Sequence, residues 1–444
     1  MILSLQETIT DTTPLITNDK IIFGLLMLSL GFVFLTSTSQ SKNWKYFYKY
    51  IPALFMAYFI PSLLTTTGLI APEWTTVLED GTAVEGESVL YHMASRYLLP
   101  AALVLMTLSI DLKGVFNLGP KALWMFLAGT VGIIIGGPIA VLLVGTISPE
   151  TVGGEGADAV WRGLSTLAGS WIGGGANQTA MLEVYGYNTK LYGQMVFVDI
   201  LVANVWMAII LLGIGKSSKI DKWFKADTTA IEELKKKMSD FSLQVSRNPS
   251  LADLMILGAI AFATVGLAHL GGDFMASLFA GMVDNLEGLT KNVFTFLGSS
   301  FFWMITITTL IGIALSYTKI RTYEGAGASK FGSVFIYILV ATIGMKMDLT
   351  LIFQNTGLIV VGFVWMAIHA GLLIGVAKLI KAPYFFLAVG SQANVGGAAS
   401  APIVASAFHP SLATVGVLLA VFGYAIGTLG AVACTVLMQL ASVS

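Results

Sequence analysis

The sequence predicts an all-α membrane protein with two inverted repeats, each built from five transmembrane helices and one Gly-rich re-entrant hairpin. The first observation is composition: of 444 residues 56% are hydrophobic and 11% charged, with a mean hydropathy of +0.81. Soluble domains carry about 25% charged residues. The second is a series of apolar runs close to the roughly 20 residues that a helix needs to cross a bilayer. The third is a Gly-rich polar motif that occurs twice.

Ten apolar runs are predicted to span the membrane. They lie near residues 21–38, 51–70, 97–112, 121–145, 191–214, 251–271, 297–318, 331–347, 355–380 and 411–440. Glu7 and Asp11 precede the first run, where a signal peptide would carry positive charge. We therefore expect the first run to be a retained span, with residues 1–20 as an N-terminal segment on the outer side.

The duplicated motif is the feature around which the chain is organised. It reads Gly-Ser-Trp-Ile-Gly-Gly-Gly-Ala-Asn-Gln-Thr-Ala at 169–180 and Gly-Ser-Gln-Ala-Asn-Val-Gly-Gly-Ala-Ala-Ser-Ala at 390–401. Irregular backbone cannot face lipid, because each unpaired polar group costs several kcal/mol in hydrocarbon. We predict a hairpin at about 161–187 and another at about 382–407, each too short for two full crossings. Such polar segments in matching positions of two halves indicate a transporter binding site.

Loop charges predict the orientation of the chain, because short loops rich in Lys and Arg stay in the cytoplasm. Loop 39–50 is basic, loop 71–88 is acidic and stretch 215–250 is strongly basic. The charges of these loops all fit this rule only if the segment at 161–187 enters and leaves the membrane on the same side. We therefore predict a cytoplasmic linker at 215–250, with both termini outside.

The motif copies belong to a longer internal repeat. Asp111-Leu and Asp348-Leu each precede a span that leads into one copy of the motif. Five spans and a hairpin make an odd number of crossings, so repeats 21–214 and 251–444 have opposite orientations, as in transporters with midplane sites. We predict that Asp111 and Asp348 are helix N-caps, since Asp is favoured before a short turn.

Neutral oxygen atoms dominate the candidate substrate and ion site. Amide, hydroxyl and freed carbonyl oxygens suit Na⁺, and freed N–H groups at helix N-termini suit a carboxylate. The alternative is close helix packing through small residues. The candidates are Ser170, Gly173, Gly174, Gly175, Asn177, Gln178, Thr179, Asp199, Asn204, Ser391, Gln392, Asn394, Gly396, Gly397 and Ser400. Among them Asn177, Asp199 and Asn394 are the candidate Na⁺ ligands.

Asp199 is an ionisable residue inside a predicted span, and such a residue is a functional hypothesis by default. It suits a cation ligand, with Asn204 near its face, or a proton carrier; the alternative is a carboxyl near the headgroups. Two further residues stay unassigned. His369 is a packing residue or a switch, and Arg162 attracts anions or anchors a boundary.

Other function classes find no support in the sequence. No basic surface indicates a nucleic-acid partner, and the single Cys434 forms no internal disulfide. Gly213-Ile-Gly-Lys-Ser217 has Ile210 where a phosphate-binding loop requires its first Gly. Hydrolase and zinc-protease motifs are missing from the sequence. We expect that the protein is not an enzyme and that it needs no cofactor beyond a coupling ion, Na⁺ or H⁺.

Three stretches resemble the YjcL-like family of bacterial membrane proteins, a domain of unknown function, over nearly the whole chain: the motif at 169–177, Leu-Pro-Ala-Ala-Leu at 99–103, and Ser-Gln-Ala-Asn-Val-Gly-Gly at 391–397. More remotely, two inverted halves with opposed hairpins are similar to the sodium/glutamate and citrate symporters. That resemblance implies a homodimeric elevator with a core site at Gly173–Gln178 and Asn394–Gly397. These copies lack a strict Gly-Gly-Asn-Gly, so the resemblance does not extend to the substrate.

The expected function is cation-coupled secondary transport, with Na⁺ favoured, of a small anionic or zwitterionic solute such as an amino acid, dipeptide or carboxylate. The expected location is the bacterial cytoplasmic (inner) membrane. One alternative is a monovalent cation/proton antiporter that uses Asp199. A second alternative is a channel or receptor-like membrane protein.

Overall fold

The computed structural model describes residues 15–77, 83–108, 115–116, 118–227, 229, 231, 248–286, 294–409 and 412–442. Asp111 and the core of the predicted cytoplasmic linker, residues 232–247, lie outside the described residues. The helices are α1 (Asp19–Ser37), α2 (Lys42–Tyr50), α3 (Ala53–Thr66), α4 (Leu90–Met93), α5 (Leu99–Leu108), α6 (Pro120–Gly145), α7 (Pro149–Val152), α8 (Val160–Gly173), α9 (Gly175–Tyr185), α10 (Tyr192–Ile214), α11 (Ser217–Phe224), α12 (Leu251–Asp284), α13 (Ser300–Ser316), α14 (Ala328–Lys346), α15 (Gly357–Leu379), α16 (Tyr384–Val395), α17 (Gly397–Phe408) and α18 (Ala413–Ser442).

Seven of the described helices are long and apolar enough to cross a bilayer: α1, α6, α10, α12, α14, α15 and α18. Each coincides with one of the ten predicted spans. The count rises to nine when two bent helix pairs are each taken as one span, α2 with α3 (90°) and α13 with the 3₁₀ helix Lys319–Ala326 (97°). The predicted span near 97–112 contains α5, which continues from α4 through a π-helical turn at Ala94–Leu98. A helical membrane protein with several spans is therefore confirmed.

The chain divides into two compact units, of which the first comprises Met1–Ala94 and Tyr337–Thr350. Within this unit α1 packs against α3. Ser62 on α3 donates to the carbonyl of Gly344 (2.7 Å). Asp348 accepts from the backbone N–H of Thr350 (2.8 Å), so its predicted capping role is confirmed.

A two-stranded antiparallel sheet forms part of this first unit, in the loop predicted to be acidic and external. Strands β1 (Glu73–Val77) and β2 (Ala83–Glu87) pair so that Trp74 lies opposite Gly86. A Cβ on Gly86 would lie 2.5 Å from the indole ring of Trp74, so the ring covers the glycine. The all-α prediction omitted this sheet, although Asp80-Gly81 between the strands is a hairpin-turn sequence.

The second unit comprises Ser95–Ile336 and Leu351–Ser444 and contains both copies of the motif. Helix α6 packs along α15 and α18, and α10 packs along α15. The division of the sequence into two inverted repeats stays a prediction.

Both copies of the motif form helical hairpins in this second unit. Hairpin A consists of α8 and α9, hairpin B of α16 and α17, and in each the two arms pack against one another. The arms have 14, 11, 12 and 12 residues. At about 1.5 Å per residue none is longer than about 21 Å, short of the roughly 30 Å hydrocarbon core. The predicted two-armed form is confirmed, and re-entry from opposite membrane faces stays a prediction.

We expect the topology to be readable by cysteine labelling from outside intact cells. Cys434 is buried, so the unmodified chain should give little background. A cysteine at Thr75 or Ser148 should react with an impermeant maleimide, whereas one at Ser41 or Ser329 should react only after lysis. A cysteine at Ser239, outside the described residues, tests the linker. External labelling at 239 would contradict the predicted re-entrant topology.

Candidate functional site

The two hairpins turn at glycines, and the turns meet. Hairpin A breaks at Gly174, with φ 74° and ψ −173°, and hairpin B at Gly396 and Gly397, the latter with φ 56°. Glycine adopts a positive φ without the steric cost that other residues carry. A Cβ on Gly397 would lie 3.8 Å from the Cα of Gly174. The two turns therefore lie close together, and we call them the tips.

Two helix starts, which carry partial positive charge, and two helix ends, which carry partial negative charge, meet at the tips. Arms α9 and α17 begin there, with no acidic residue in the first turn and no side-chain cap. Arms α8 and α16 end there. A helix start leaves N–H groups without acceptors and a helix end leaves carbonyls without donors. The tips therefore offer donors to an anion and acceptors to a cation.

Asp199 on α10 is bound entirely to hairpin A. Its Oδ2 accepts from Ser170 Oγ (2.7 Å) and Gln178 Nε2 (3.1 Å), and its Oδ1 accepts from Trp171 Nε1 (2.7 Å). The side chain is 8% exposed. It forms no ion pair with any Lys, Arg or His of the described chain. A buried carboxylate without a cationic partner thus joins both arms of hairpin A.

Hairpin B is held by a three-membered chain of hydrogen bonds centred on Ser391. Trp206 Nε1 donates to Ser391 Oγ (2.8 Å), and His369 Nε2 lies 2.8 Å from the same hydroxyl. His369 Nδ1 lies 3.0 Å from the carbonyl of Gly129, which only accepts, so Nδ1 carries the proton. In the neutral imidazole Nε2 then accepts and Ser391 donates. His369, whose role the sequence left open, is a fully buried link between α6, α15 and hairpin B.

The asparagine of each motif has the same bonding pattern. Asn177 Nδ2 donates to the carbonyl of Gly173 (2.9 Å), and its Oδ1 accepts from Thr428 on α18 (2.6 Å). Asn394 Nδ2 donates to Gly390 (2.9 Å), and its Oδ1 accepts from Thr130 on α6 (2.8 Å). Both amides are fully buried. Each therefore ties its hairpin to a long helix through a threonine hydroxyl.

Gln392 is the polar side chain near the tips that has spare hydrogen-bonding capacity. Its Oε1 accepts from Ser400 (2.7 Å), while its Nε2 is buried and has no partner among the described residues. A Cβ on Gly396 would lie 2.9 Å from Oε1, which places this amide beside the tip. An unpaired buried donor costs about 1–3 kcal/mol, so a ligand that accepts from it gains that amount.

Close helix packing at the tips depends on glycines in the long helices. A Cβ on Gly427 of α18 would lie 2.5 Å from Asn177 Nδ2 and 2.7 Å from the Cα of Gly173. On α6, a Cβ on Gly129 would lie 2.9 Å from Asn394 Nδ2. Small-residue packing and a polar site therefore coexist here, since the glycines let the amides approach.

Most of the predicted site residues are brought together, but the side chains of Asn204 and Thr179 bond to the backbone of their own helices. Asn204 donates to Ile200 of its own helix (2.8 Å), and Thr179 donates to Gly175 and Ala176 of its own arm. The prediction that Asn204 lies near the face of Asp199 was wrong. Five residues along a helix turn it by about 140° from the starting face.

Five residues with direct contacts to the hairpins were missing from the predicted set: Thr130, Trp171, Trp206, His369 and Thr428. The sequence held a signal for three of them, because Trp171 lies inside the motif and His369 is a polar residue within a predicted span. Trp206 follows Asp199 by seven residues, which returns to the same face of α10. The two threonines had none, because only the packing of α6 and α18 brings them to the asparagines.

The site can bind small charged groups through polar atoms that are already positioned. Within the described ranges, no three His, Cys, Asp or Glu side chains cluster closely enough to hold a metal ion. The oxygens present are hydroxyl, amide and carboxylate, which are hard ligands suited to Na⁺-like cations. An organic anion would meet the N–H groups of α9 and α17.

Comparison with known proteins agrees with a membrane location. Residues 24–440 match the family described as "Protein of unknown function (DUF819)". The chain is 26% identical over 354 residues to the "Uncharacterized membrane protein YjcL" of Bacillus subtilis (strain 168). That alignment covers 77% of this chain and 82% of the relative. The resemblance to YjcL-like membrane proteins, inferred from the motifs, is confirmed.

Proposed function

This chain belongs to the DUF819 family of membrane proteins, and we propose that it is a Na⁺-coupled secondary transporter of a small anionic or zwitterionic solute. One observation carries the proposal: two broken helices meet at their glycine turns inside a single compact unit. Broken helices that present their ends to each other are the usual construction of transporter sites. Amino acids, dipeptides and simple carboxylates are the candidate solutes.

The anionic group of the solute is placed at the starts of α9 and α17. Two helix N-termini converge there, each equivalent to about half a positive charge, and neither first turn contains an acid to neutralise it. The unpartnered Nε2 of Gln392 supplies a further donor beside Gly396. A carboxylate accepts from several such donors at once, whereas an apolar solute leaves them unpaired.

The coupling cation is placed with the carbonyls at the ends of α8 and α16 and with the oxygens of Asn177 and Asn394. The threonine hydroxyls that donate to these amide oxygens can rotate away. Each amide oxygen would then be free to coordinate an ion. Asp199 has three donors on its two oxygens and contributes its charge nearby. The predominance of neutral oxygens favours Na⁺ over H⁺.

The mechanism within this proposal is alternating access of the elevator type. It follows from the resemblance to the sodium/glutamate and citrate symporters, which also implies a homodimer. The chain would reside in the bacterial cytoplasmic membrane with both termini outside. No nucleic acid or enzymatic reaction belongs to this proposal.

Thermal melting of the purified protein tests the proposal, with Na⁺ against K⁺ and a panel of amino acids, dipeptides and carboxylates. A ligand that binds only the folded state raises the melting temperature by mass action. We expect one solute class to raise it in Na⁺ only. Gln392→Met, which removes an amide that lacks one partner, should weaken that solute at least tenfold while leaving the ligand-free melting temperature close to that of the parent.

Gln194→Met is the matched control, since Gln194 is a buried amide on α10 whose Nε2 donates to Leu351 (2.9 Å). It should lower the melting temperature without changing the ligand-induced shift. A solute shift that survives unchanged in Gln392→Met would place the solute elsewhere, and a panel without any Na⁺-dependent shift would overturn the symporter.

The antiporter alternative is favoured by one observation, the absence of a basic partner for Asp199 in the described chain. Such a carboxylate can exchange Na⁺ for H⁺. It predicts that Na⁺ or pH alone shifts the melting temperature, with no response to solute, and that Asp199→Asn removes the shift. Saturable uptake into proteoliposomes separates either transporter from a channel or a receptor-like protein.

A further inference from the structure

Arg162 lies at the base of hairpin A, at the opposite end of the arms from the tips. It is the third residue of α8, and its Nη1 donates to the carbonyl of Tyr185, the last residue of α9. Its guanidinium carbon lies 4.7 Å from the ring centre of Trp161. The side chain is half-buried. These contacts fix the plane of the guanidinium.

Most of the hydrogen-bonding capacity of Arg162 is unused. Nε is buried and has no partner in the part of the chain that the structure describes. A guanidinium has five N–H donors, and with Nη1 bound to Tyr185 the edge formed by Nε and Nη2 remains. That edge matches the two oxygens of a carboxylate.

A second arginine of the same unit differs from Arg162 in having a carboxylate partner. Arg96 pairs with Glu183 (3.2 Å) and packs over the ring of Phe301 (4.4 Å). Arg162 has no carboxylate within 4.0 Å among the described residues. Uncompensated charge in a half-buried position is costly unless an anion reaches it.

Arg162 is one of the residues that line a cavity of about 260 Å³. Trp161 and Phe296 form apolar parts of its wall, Gln439 adds an amide, and Glu155 lies at the exposed rim. Drug-sized ligands occupy roughly 300–1,000 Å³, so this volume suits a smaller molecule. The wall combines one cation, one anion and aromatic surface.

We propose that this cavity binds a small amphipathic zwitterion of the amino-acid type. Its carboxylate lies against the guanidinium of Arg162, its ammonium faces Glu155, and its apolar side chain packs against Trp161 and Phe296. The site is separate from the tips and does not depend on transport. It rests on a cavity, an unused guanidinium edge and a rim carboxylate, none of which the proposed transport function uses.

Isothermal titration calorimetry with three probes of one shape tests the proposal. L-Phenylalanine carries both charges, 3-phenylpropanoate lacks the ammonium group and phenethylamine lacks the carboxylate. We expect phenylalanine to bind most tightly, phenylpropanoate several-fold more weakly and phenethylamine not measurably. Arg162→Gln should weaken both acids at least tenfold. Arg162→Lys, which keeps the charge and loses the bidentate edge, should weaken them several-fold.

Two further variants test the charges at the cavity, one at its rim and one at the paired arginine. Glu155 is exposed, so Glu155→Gln should fold normally and make phenylalanine and phenylpropanoate bind equally. Arg96→Gln removes a paired arginine and should leave the affinity of the folded protein for phenylalanine unchanged. If Arg162→Gln fails to fold, Arg162→Lys and Glu155→Gln still decide the outcome.

Other results would overturn the proposal. One is phenethylamine binding as tightly as phenylalanine. A second is an unchanged affinity for phenylalanine in both Arg162 variants. A third is a Glu155→Gln variant that still prefers phenylalanine to phenylpropanoate as strongly as the parent does. Gln392→Met separates this site from the tips: it should leave phenylalanine binding here intact. Loss of all phenylalanine binding in Gln392→Met would assign the probe to the tips instead.

Discussion

Asp199→Ala should be the most damaging of the polar substitutions at the site, lowering the free energy of unfolding by about 3 kcal/mol or more. Alanine leaves the donors of Ser170, Trp171 and Gln178 buried and unpaired, and each such group costs about 1–3 kcal/mol. The measurement is the melting temperature and the monodisperse yield in detergent without ligand. Asp273→Ala is the control, because Asp273 is an exposed carboxylate on α12.

Asp199→Asn should behave differently, since its amide can keep all three hydrogen bonds. The remaining oxygen can accept from Trp171, while the new NH₂ donates to Ser170 and to a reversed Gln178 amide, both of which also accept. We therefore expect a nearly normal melting temperature and a loss of cation dependence. Equal destabilisation by Asn and Ala would show that the charge itself, rather than hydrogen-bond geometry, holds hairpin A.

Gly427→Ala is expected to separate α18 from hairpin A and to destabilise the protein by about 1–3 kcal/mol, the usual cost of overpacking. Its Cβ would lie 2.5 Å from Asn177 Nδ2 and 2.7 Å from the Cα of Gly173. The hydrogen bond from Thr428 to Asn177 should weaken with the displacement. A lower melting temperature, together with loss of any Na⁺-dependent solute shift, is the expected result.

Gly375→Ala on α15 is the matched control for that substitution. A Cβ there meets nothing within 4 Å, and alanine favours a helix over glycine by up to about 1 kcal/mol. Its melting temperature should be unchanged or higher. If both alanine variants have the same melting temperature as the parent, α18 and hairpin A do not approach each other this closely in the folded protein.

The positions of the helices and hairpins were largely readable from the sequence. Hydrophobic runs fix where a chain can cross a bilayer, and all ten predicted spans contain a helix. The paired Gly-rich motifs indicated two hairpins, observed at 160–185 and 384–408. Strands β1 and β2 were not predicted, because this loop is marked in the sequence mainly by its acidic residues and its hairpin signal is only the pair Asp80-Gly81.

The sequence by itself determined the membrane class, the two glycine turns and the position of Asp199 inside a span, because composition, backbone freedom and the length of apolar runs are local properties. Only the tertiary structure decided which groups meet. Asp199 joins three donors of hairpin A, His369 and Trp206 converge on Ser391, and Arg162 keeps a buried Nε without a partner among the described residues. Such hydrogen bonds join residues far apart in sequence, and packing between helices sets them.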